Sequence, residues 1–384
     1  MMTTLVPDSL APFRTLDEMR AGAMPTTARP AARHDAEGTF VEEAYAALKS
    51  AGFLAAAVPL ELGGGGAGLP EMAWAHHDLA LACGSTSLAA SMHSHSVVTL
   101  AWRYRRGAPV DKTLRRVAAE NLVLVSTGGS DHVRPSAVAR PAEGGLVVSG
   151  RKIFASQSPV GDVLATWAVL EGEQPEIVGV SIPMNAPGVE ILPTWDAHGM
   201  RGTGSNDILL NDVFVPEAAV GARRPYGRLD PLIRIALING LAIITGTYLG
   251  LVRAARDEAV RAWAGRQPSP GTQHLVGTVA HEYEAARLAF EGALARLGPD
   301  PESTFENFLA VQHAKRAVST HGARAIEAAF EAIGGRAFYR SSPLERIARD
   351  FRGINHHPLT PEAFTRYAGH VALGGDPELL EGAG

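Results

Sequence analysis

Residues 146–155 read Leu-Val-Val-Ser-Gly-Arg-Lys-Ile-Phe-Ala and lie in the part of the chain that decides the fold. Apolar and β-branched residues dominate this stretch, which is typical of a strand. Five further short runs of this kind, separated by Gly, Pro and Asn, cover residues 122–125, 163–170, 177–182, 189–192 and 208–215. Because no helical pattern separates these runs, they predict an antiparallel barrel or sandwich and exclude a Rossmann fold.

The segments on either side of the strand-rich part are helical. Towards the N-terminus, residues 42–51 and an Ala- and Leu-rich run that opens at Pro70-Glu71 contain helix-forming residues. Towards the C-terminus, apolar residues recur at steps of three and four, which places them on one helix face. They are Val276, Val279, Tyr283, Ala286 and Phe290, and then Ile326, Ala329, Phe330 and Ile333. We therefore predict an α+β multidomain protein with a helical domain over 1–120, a β-domain over 121–220 and a four-helix-bundle domain over 221–384.

The composition of the 384 residues narrows the functional classes. A hydrophobic fraction of 46% and a charged fraction of 20% are ordinary for a globular protein and exclude disorder for most of the chain. The net charge of −5 lacks the basic excess of a nucleic-acid binder. The single cysteine, Cys83, forms no internal disulfide and supplies no multi-thiolate zinc site, and its apolar setting predicts burial.

Two features concern the location of the protein. The first residues show neither a basic region nor an unbroken apolar stretch of the kind found in export signals, so we expect a cytoplasmic protein. Residues 235–252 carry no charge and just reach the length of a membrane-spanning helix. Asn239, Thr245 and several glycines within this segment favour a helix buried in a bundle, and we expect no membrane contact.

Several motifs that suggest chemistry can be set aside. Gly63-Gly-Gly-Gly66 follows no strand and precedes no Lys-Ser/Thr pair, so a helix connector is favoured over a phosphate loop. His93 and His95 would point to opposite sides of a helix and cannot chelate one metal ion together. His76 and His77 are adjacent and would also point in different directions from a helix, so they are not a chelating pair either. We therefore expect no metal centre.

Three other stretches are candidates for a site. Ser126-Thr-Gly-Gly-Ser-Asp131 directly follows a predicted strand and offers N–H groups and hydroxyls to an anionic or heteroaromatic ligand, although an ordinary turn explains it equally well. Residues 195–206 place Trp, Met, Arg and three glycines between strands, where a solvent loop is the alternative. In His356-His357-Pro358, the proline favours an extended segment at a helix end, in which His357 would point towards the site and His356 the opposite way; an exposed histidine pair is the alternative. We assign substrate binding to Ser130, Arg201 and Ser205 in the first two stretches.

Six ordered motifs resemble the acyl-CoA dehydrogenase superfamily, and the resemblance extends from about Phe53 to about Gly374. They are Val58-Pro-Leu-Glu-Leu-Gly-Gly64, the Ser126–Asp131 loop, Ser149-Gly-Arg-Lys-Ile-Phe-Ala-Ser156, Gly199-Met-Arg-Gly-Thr-Gly-Ser-Asn-Asp207 with Asn211-Asp-Val-Phe-Val-Pro216, the helix from Leu249 to Ala259, and Ile333-Gly-Gly-Arg336 with Pro343-Leu-Glu-Arg-Ile-Ala-Arg-Asp350. The resemblance implies a flavoenzyme that binds a small-molecule substrate, with FAD between the β-domain and the helical bundle.

The resemblance also implies which residues bind the cofactor and that the protein assembles as a homo-oligomer, a dimer of dimers. Val125 and Ser126 would border the flavin ring, with Phe154 and Ser156 covering the ring and its N5 side. Gly334 and Gly335 would approach the nucleotide half of a neighbouring subunit's cofactor, and Gln273 would be the polar partner of that contact. The glycines would allow close approach because they lack Cβ.

The departures from the family pattern concern the catalytic base and the cofactor. The two positions at which the family's dehydrogenases carry a glutamate correspond here to Pro358 and Gly240. The family's adenine-binding Arg-x-x-Phe-Gly is replaced by Gly265-Arg-Gln-Pro268, which makes FMN the alternative to FAD. Flavin monooxygenases built on this fold are similar in having a histidine near His357, where it assists oxygen chemistry.

Because both glutamate positions are empty, we hypothesise that the chain is an oxygen-using monooxygenase or oxidase in which His357 is catalytic. A histidine that assists oxygen chemistry does not have to be a strong base and only has to carry a proton near neutral pH. The substrate would be an acyl-CoA thioester or an aromatic metabolite, and a separate flavin reductase is one source of electrons. Two alternatives stay open: a dehydrogenase with a relocated base, and a non-catalytic flavin or ligand scaffold.

Overall fold

The computed structural model describes residues 16–28, 30–172 and 176–380, without the side chains of Pro25 and Ser130. Its N-terminal part consists of helices α1 (Leu16–Ala28), α2 (Ala31–Glu37), α3 (Glu42–Ala51), α4 (Leu69–Ala82), α5 (Gly84–Arg105) and α6 (Asp111–Glu120). α4 begins where the Gly68 N–H donates to the Glu71 carboxylate and Pro70 occupies the first turn. Cys83 is buried at the junction of α4 and α5.

The middle part is one eight-stranded sheet. Its strands are β1 (Leu124–Val125), β2 (Ala137–Ala142), β3 (Gly145–Ala155), β4 (Val163–Leu170), β5 (Glu176–Pro183), β6 (Val189–Leu192), β7 (Asn206–Pro216) and β8 (Val220–Pro225). The spatial order is β6-β7-β3-β2-β4-β5-β8, and β1 pairs with β4. The inward residues of these strands form a separate apolar core that includes Val148, Leu164 and Ile208.

The prediction of an antiparallel sheet holds for most of the strand pairs, but β4 pairs in parallel with both β1 and β2. β2 and β8 were not predicted from the sequence. Ala, Arg and Pro dominate Ala137–Ala142, and two arginines occupy the edge strand Val220–Pro225, so neither stretch has the β-branched pattern. The sheet continues to Pro225, five residues beyond the predicted limit at 220.

The C-terminal part contains helices α7 (Pro231–Trp263), α8 (Pro270–Leu297), α9 (Phe305–Ile333), α10 (Pro343–Phe351) and α11 (Pro361–Ala372). Four of them begin at residues whose side chains accept a backbone N–H from the first turn: Asp230, Ser269, Thr304 and Thr360. α7, α8 and α9 pack on one another in the predicted bundle, α10 packs on α7 and α11 on α9, and α7 also packs on α4 and α5. The order of helical, β and helical parts is thereby confirmed.

α7 is the helix that raised the question of a membrane. It is the single helix among the described residues that is long and apolar enough to cross a bilayer, but it is almost completely buried in the protein. Ile238, Ile243 and Leu249 have no exposed surface. This burial identifies α7 as the central core helix of the bundle.

Candidate active site

A cavity of about 410 Å³ lies where the sheet meets α5, α7 and the segment after α10. This volume is in the usual range for a small-molecule site. We call Thr127–Gly129, Phe154, Ser156 and Ser205 the sheet wall, and Gly240, Tyr248, Gly353, His357 and Pro358 the helical wall. The cavity therefore brings together the three stretches that the sequence analysis selected.

The sheet wall combines an aromatic ring with hydroxyl groups. Phe154 is 53% exposed and has a φ of 55°, a left-handed conformation that costs a non-glycine residue energy and is often found at functional sites. Its ring meets that of Trp195 edge-to-face at 6.1 Å. The Ser156 and Ser205 hydroxyls lie 2.8 Å apart, and Thr203 is 2.7 Å from Ser205. This wall can contact a flat ring and hydrogen-bond to its edge.

A buried ion pair holds the sheet wall together. Lys152 Nζ on β3 donates to Asp131 Oδ2 at 2.6 Å, and the Thr127 hydroxyl donates to the same oxygen at 2.7 Å. Burial lowers the pKa of Lys152. Burial also opposes ionisation of Asp131, but Lys152 and the surrounding hydrogen bonds keep the pKa of this carboxyl below its usual value. The loop that follows β1 is thereby fixed to β3.

The helical wall contains both positions of the family's catalytic base. Gly240 and Pro358 line the cavity, and among the described lining residues there is neither Asp nor Glu. Gly129 allows the two walls to touch, because a Cβ at this position would overlap the Pro358 ring. The cavity thus lacks a lining carboxylate where a dehydrogenase would need one.

His357 lies in the helical wall and is held there by Tyr248. Its Nε2 is 2.9 Å from the Tyr248 hydroxyl, which belongs to the buried face of α7. Gly353 leaves room for this hydroxyl, since a Cβ at residue 353 would lie 2.5 Å from it. Burial raises the pKa of Tyr248, so the hydroxyl keeps its proton. The interpretation of two solvent-facing histidines therefore does not apply to His357.

Two expectations about this histidine pair are wrong. His356 was expected to point away from the site in an extended segment, but Arg352–His356 form a 3-10 turn and both histidines line the cavity. His357 was expected to carry a proton near neutral pH. Burial, together with the nearby positive charge of Lys315, lowers its pKa to about 3, so the imidazole is neutral at pH 7.

Two further histidines, His95 and His132, line the cavity and were not predicted as site residues. His95 Nε2 is 3.0 Å from the Ser126 hydroxyl, whereas the neighbouring His93 points away and bonds to the Leu54 carbonyl. The pKa values of His95 and His132 are lowered by burial to about 3 and about 4. The opposite orientation of His93 and His95 was predicted, but only metal chelation was considered for them.

The structure places the remaining predicted residues at different distances from the cavity. Val125 is fully buried in the sheet core. Ser126 does not line the cavity, but its hydroxyl pairs with His95, which does. Arg201 donates to the backbone carbonyls of Asp35 and Ala197 and does not line the cavity. Gln273 is exposed on α8, and Gly334 and Gly335 begin a 3-10 turn after α9. The Ser130 side chain lies outside the described residues. The roles assigned to these residues stay predictions.

The residues around the cavity fit the ring system of a flavin. The Nδ1 atoms of His95 and His132 are buried and have no hydrogen-bond partner, as expected for groups beside a polar ligand. Aromatic rings from Phe154, Trp195 and Tyr248 contribute flat apolar surface, and the Ser156–Ser205 pair contributes donors. A heteroaromatic ring with a polar edge matches this combination.

Comparison with known proteins agrees with this fit. Domain models of the acyl-CoA dehydrogenase family match residues 14–121 (N-terminal domain), 126–213 (middle domain) and 242–361 (C-terminal domain). L-evernosamine nitrososynthase from a Micromonospora strain is 29% identical over 366 residues, which cover 88% of this chain and 85% of that protein. A Bacillus subtilis protein provisionally named an acyl-CoA dehydrogenase is 30% identical over 356 residues, covering 87% and 90%.

A solved structure extends the comparison to ligands. The X-ray structure of KijD3 in complex with FMN and dTDP-3-amino-2,3,6-trideoxy-4-keto-3-methyl-D-glucose has a TM-score of 0.87 and 29% sequence identity, covering 94% of each chain. The chain described here belongs to the acyl-CoA dehydrogenase family and is a flavin-dependent oxidoreductase with the fold of that family.

Proposed function

We propose that this protein is a flavin-dependent monooxygenase. The observation that carries the proposal is the helical wall, where Gly240 and Pro358 stand at the two base positions and no described lining residue is acidic. Removal of an α-proton from a thioester requires a positioned base, which this cavity does not offer. Monooxygenation has no such requirement, because the electrons come from reduced flavin, one oxygen atom enters the substrate and the other leaves as water.

The chain's own residues would orient the flavin and control protons. Phe154 and the Ser156–Ser205 pair would contact the ring from the sheet wall. His357 and Tyr248 would present a hydrogen-bonded pair of neutral groups from the helical wall. Because His357 is neutral, its imidazole would keep its one N–H proton and offer it as a hydrogen bond rather than deliver a proton from an imidazolium.

We propose FMN as the cofactor. Gly265-Arg-Gln-Pro268 stands where the family has its adenine-binding residues. This chain therefore lacks one contact to the adenine nucleotide, which FAD has and FMN lacks. KijD3, which shares 29% of its residues with this chain, was solved with FMN. Both observations support the smaller cofactor.

We infer that the substrate carries a phosphate or another anionic group. Arg349 and Arg352 are the lining residues with a permanent charge, and Arg349 is already paired with Asp35 at 2.6 Å. Arg352 is exposed and has no hydrogen bond or ion pair within the described part of the chain. An uncompensated guanidinium favours phosphate. Both a CoA thioester and a nucleotide-linked amino sugar, the ligand class of KijD3, carry diphosphates.

We further propose a cytoplasmic homo-oligomer that receives reduced flavin from a separate reductase. Phe338 and Tyr339 are 84% and 69% exposed in the segment that begins at Gly334 and Gly335, and large exposed rings of this kind favour a protein contact. Light scattering should give a dimer or tetramer, and a monomer would contradict the proposed assembly.

The central test combines flavin titration with labelled oxygen. The protein should bind FMN more tightly than FAD, and protein with reduced FMN and ¹⁸O₂ should transfer label to one of two probes, butyryl-CoA or the dTDP-amino sugar bound by KijD3. Without oxygen, butyryl-CoA should not bleach the oxidised flavin. Rapid bleaching would establish the dehydrogenase alternative, and absence of binding of either flavin would overturn the proposal.

A further inference from the structure

Lys315 is a buried lysine behind the helical wall, outside the cavity lining. It lies on α9 with 4% of its surface exposed. Its Nζ donates to the backbone carbonyl of His357 at 2.5 Å and to that of Leu359 at 2.6 Å. The two acceptors stand on either side of Pro358, so one ammonium group holds both ends of the Pro358 backbone.

The ammonium of Lys315 has no acidic partner among the described residues. Its contacts are carbonyl oxygens, and Arg316 and His357 are the titratable groups near it. Burial, with a smaller contribution from Arg316, lowers the pKa of Lys315 to about 7. A buried amine without a counter-ion costs folding free energy, which indicates a task other than stability.

Two neighbours of Lys315 on the same helix face hold the same segment. Gln312 Nε2 is 3.5 Å from the Pro358 carbonyl, and the Ser319 hydroxyl donates to Asn355 Oδ1 at 2.6 Å. Residues 312, 315 and 319 follow the three- and four-residue spacing of one helix face. Backbone carbonyls from His357 to Leu359 therefore all find side-chain donors on α9.

We infer that Lys315 is a positioning residue for His357, which it holds in contact with Tyr248 at the cavity by fixing the backbone on both sides of Pro358. The inference deepens the proposed function and rests on it. Pro358 has no N–H of its own to anchor the segment, so α9 provides the anchor. Displacement of a reacting group by about 1 Å is enough to reduce a rate strongly.

The test begins with Lys315→Met, which keeps the length of the side chain and removes its donors. Lys112→Met, at an exposed position of α6, is the matched control. In spectra of protein labelled with ¹⁵N in histidine, Lys315→Met should move the ring signals of His357 and leave those of His93 unchanged. His93 is a suitable internal reference because Leu54 and Leu124 hold both of its ring nitrogens.

The second measurement is the rate at which oxygen reoxidises bound reduced FMN. Lys315→Met should lower this rate about tenfold, with the FMN dissociation constant and melting temperature close to wild type. In Lys315→Met/His357→Ala the rate should equal that of His357→Ala alone, because Lys315 acts through His357. If Lys315 had a purely structural role that is independent of His357, the loss of rate in the double variant would equal the product of the losses in the two single variants.

The outcomes separate this inference from the proposed function. A wild-type protein whose bound reduced FMN fails to react with oxygen overturns the proposed function, while the histidine spectra still report on Lys315. An active wild type together with unchanged His357 signals and an unchanged rate in Lys315→Met overturns the role of Lys315. The role of Lys315 is also overturned if the loss of rate in the double variant equals the product of the losses in the two single variants.

Discussion

The two walls of the cavity differ in what they preserve of the family pattern. The sheet wall contains Phe154, Ser156 and Ser205 from the family motifs, and it is held together through Lys152, Asp131 and a chain of hydroxyls. The helical wall has lost both carboxylate positions and carries His357 bonded to Tyr248 instead. If, as proposed, the sheet wall binds the flavin and the helical wall sets the reaction, the difference teaches that the two properties are separable, because they depend on opposite sides of one cavity.

The largest effect should follow from breaking the sheet wall at its ion pair. Lys152→Met would leave the Asp131 carboxylate buried without its partner, which costs about 3–5 kcal/mol of unfolding free energy. Urea unfolding measures this loss, and flavin binding should disappear with it. Lys112→Met, which removes an exposed lysine, should change stability little. Equal stability of the two variants would show that the pair does not hold the wall.

Asp350 lies on α10, a few residues before Gly353 of the helical wall, and accepts the N–H of Met200, a cavity-lining residue that precedes β7. Burial raises its pKa from 3.8 to about 6. The folded state therefore binds this proton more tightly, so the contribution to stability is present below about pH 4 and is lost as pH rises towards 6. Relative to Asp350→Asn, the wild type should lose up to about 3 kcal/mol of unfolding free energy over this range. A constant difference between the two proteins from pH 4 to pH 7 would exclude this coupling.

The helical wall is tested by His357→Ala. Because His357 is expected to hold a proton beside the flavin, turnover should fall by about 10² or more, with flavin affinity and melting temperature little changed. Tyr248→Phe, which removes only the hydroxyl partner, should give a smaller loss. His356 lines the cavity but is exposed, and His356→Ala should be mild. Equal small effects of the two histidine substitutions would remove His357 from the mechanism.

The smallest effect is expected at the hydroxyl pair of the sheet wall. Ser156→Ala should weaken FMN binding by about 0.5–1.5 kcal/mol, the net value of one hydrogen bond, and leave the oxygen reaction of bound flavin unchanged. The control is Ser149→Ala on β3, the strand that ends just before Ser156, because the Ser149 hydroxyl donates to Asp212 on the neighbouring strand. If Ser156→Ala affected turnover and not binding, the division of labour between the walls would fail.

The sequence was sufficient for the architecture and for most of the sheet wall. β4 and β6 coincide with predicted runs, and α3 coincides with a predicted helix, because residue periodicity and turn residues act locally. Phe154, Ser156 and Ser205 line the cavity. They could be predicted from the sequence because each belongs to a continuous motif. β2 and β8 escaped prediction since their Ala, Arg and Pro residues gain strand structure only from neighbours in the sheet.

By itself the sequence determined the order of the three parts, the motifs of the sheet wall and the loss of carboxylates at residues 240 and 358. Only the tertiary structure decided which histidines share the cavity and that His95, His132 and His357 have lowered pKa values. His95, Tyr248, Lys315 and His357 come from three helices and the segment after α10, so no local pattern connects them. Their ionisation depends on burial, which packing alone creates, and this is why a histidine expected to be protonated is neutral.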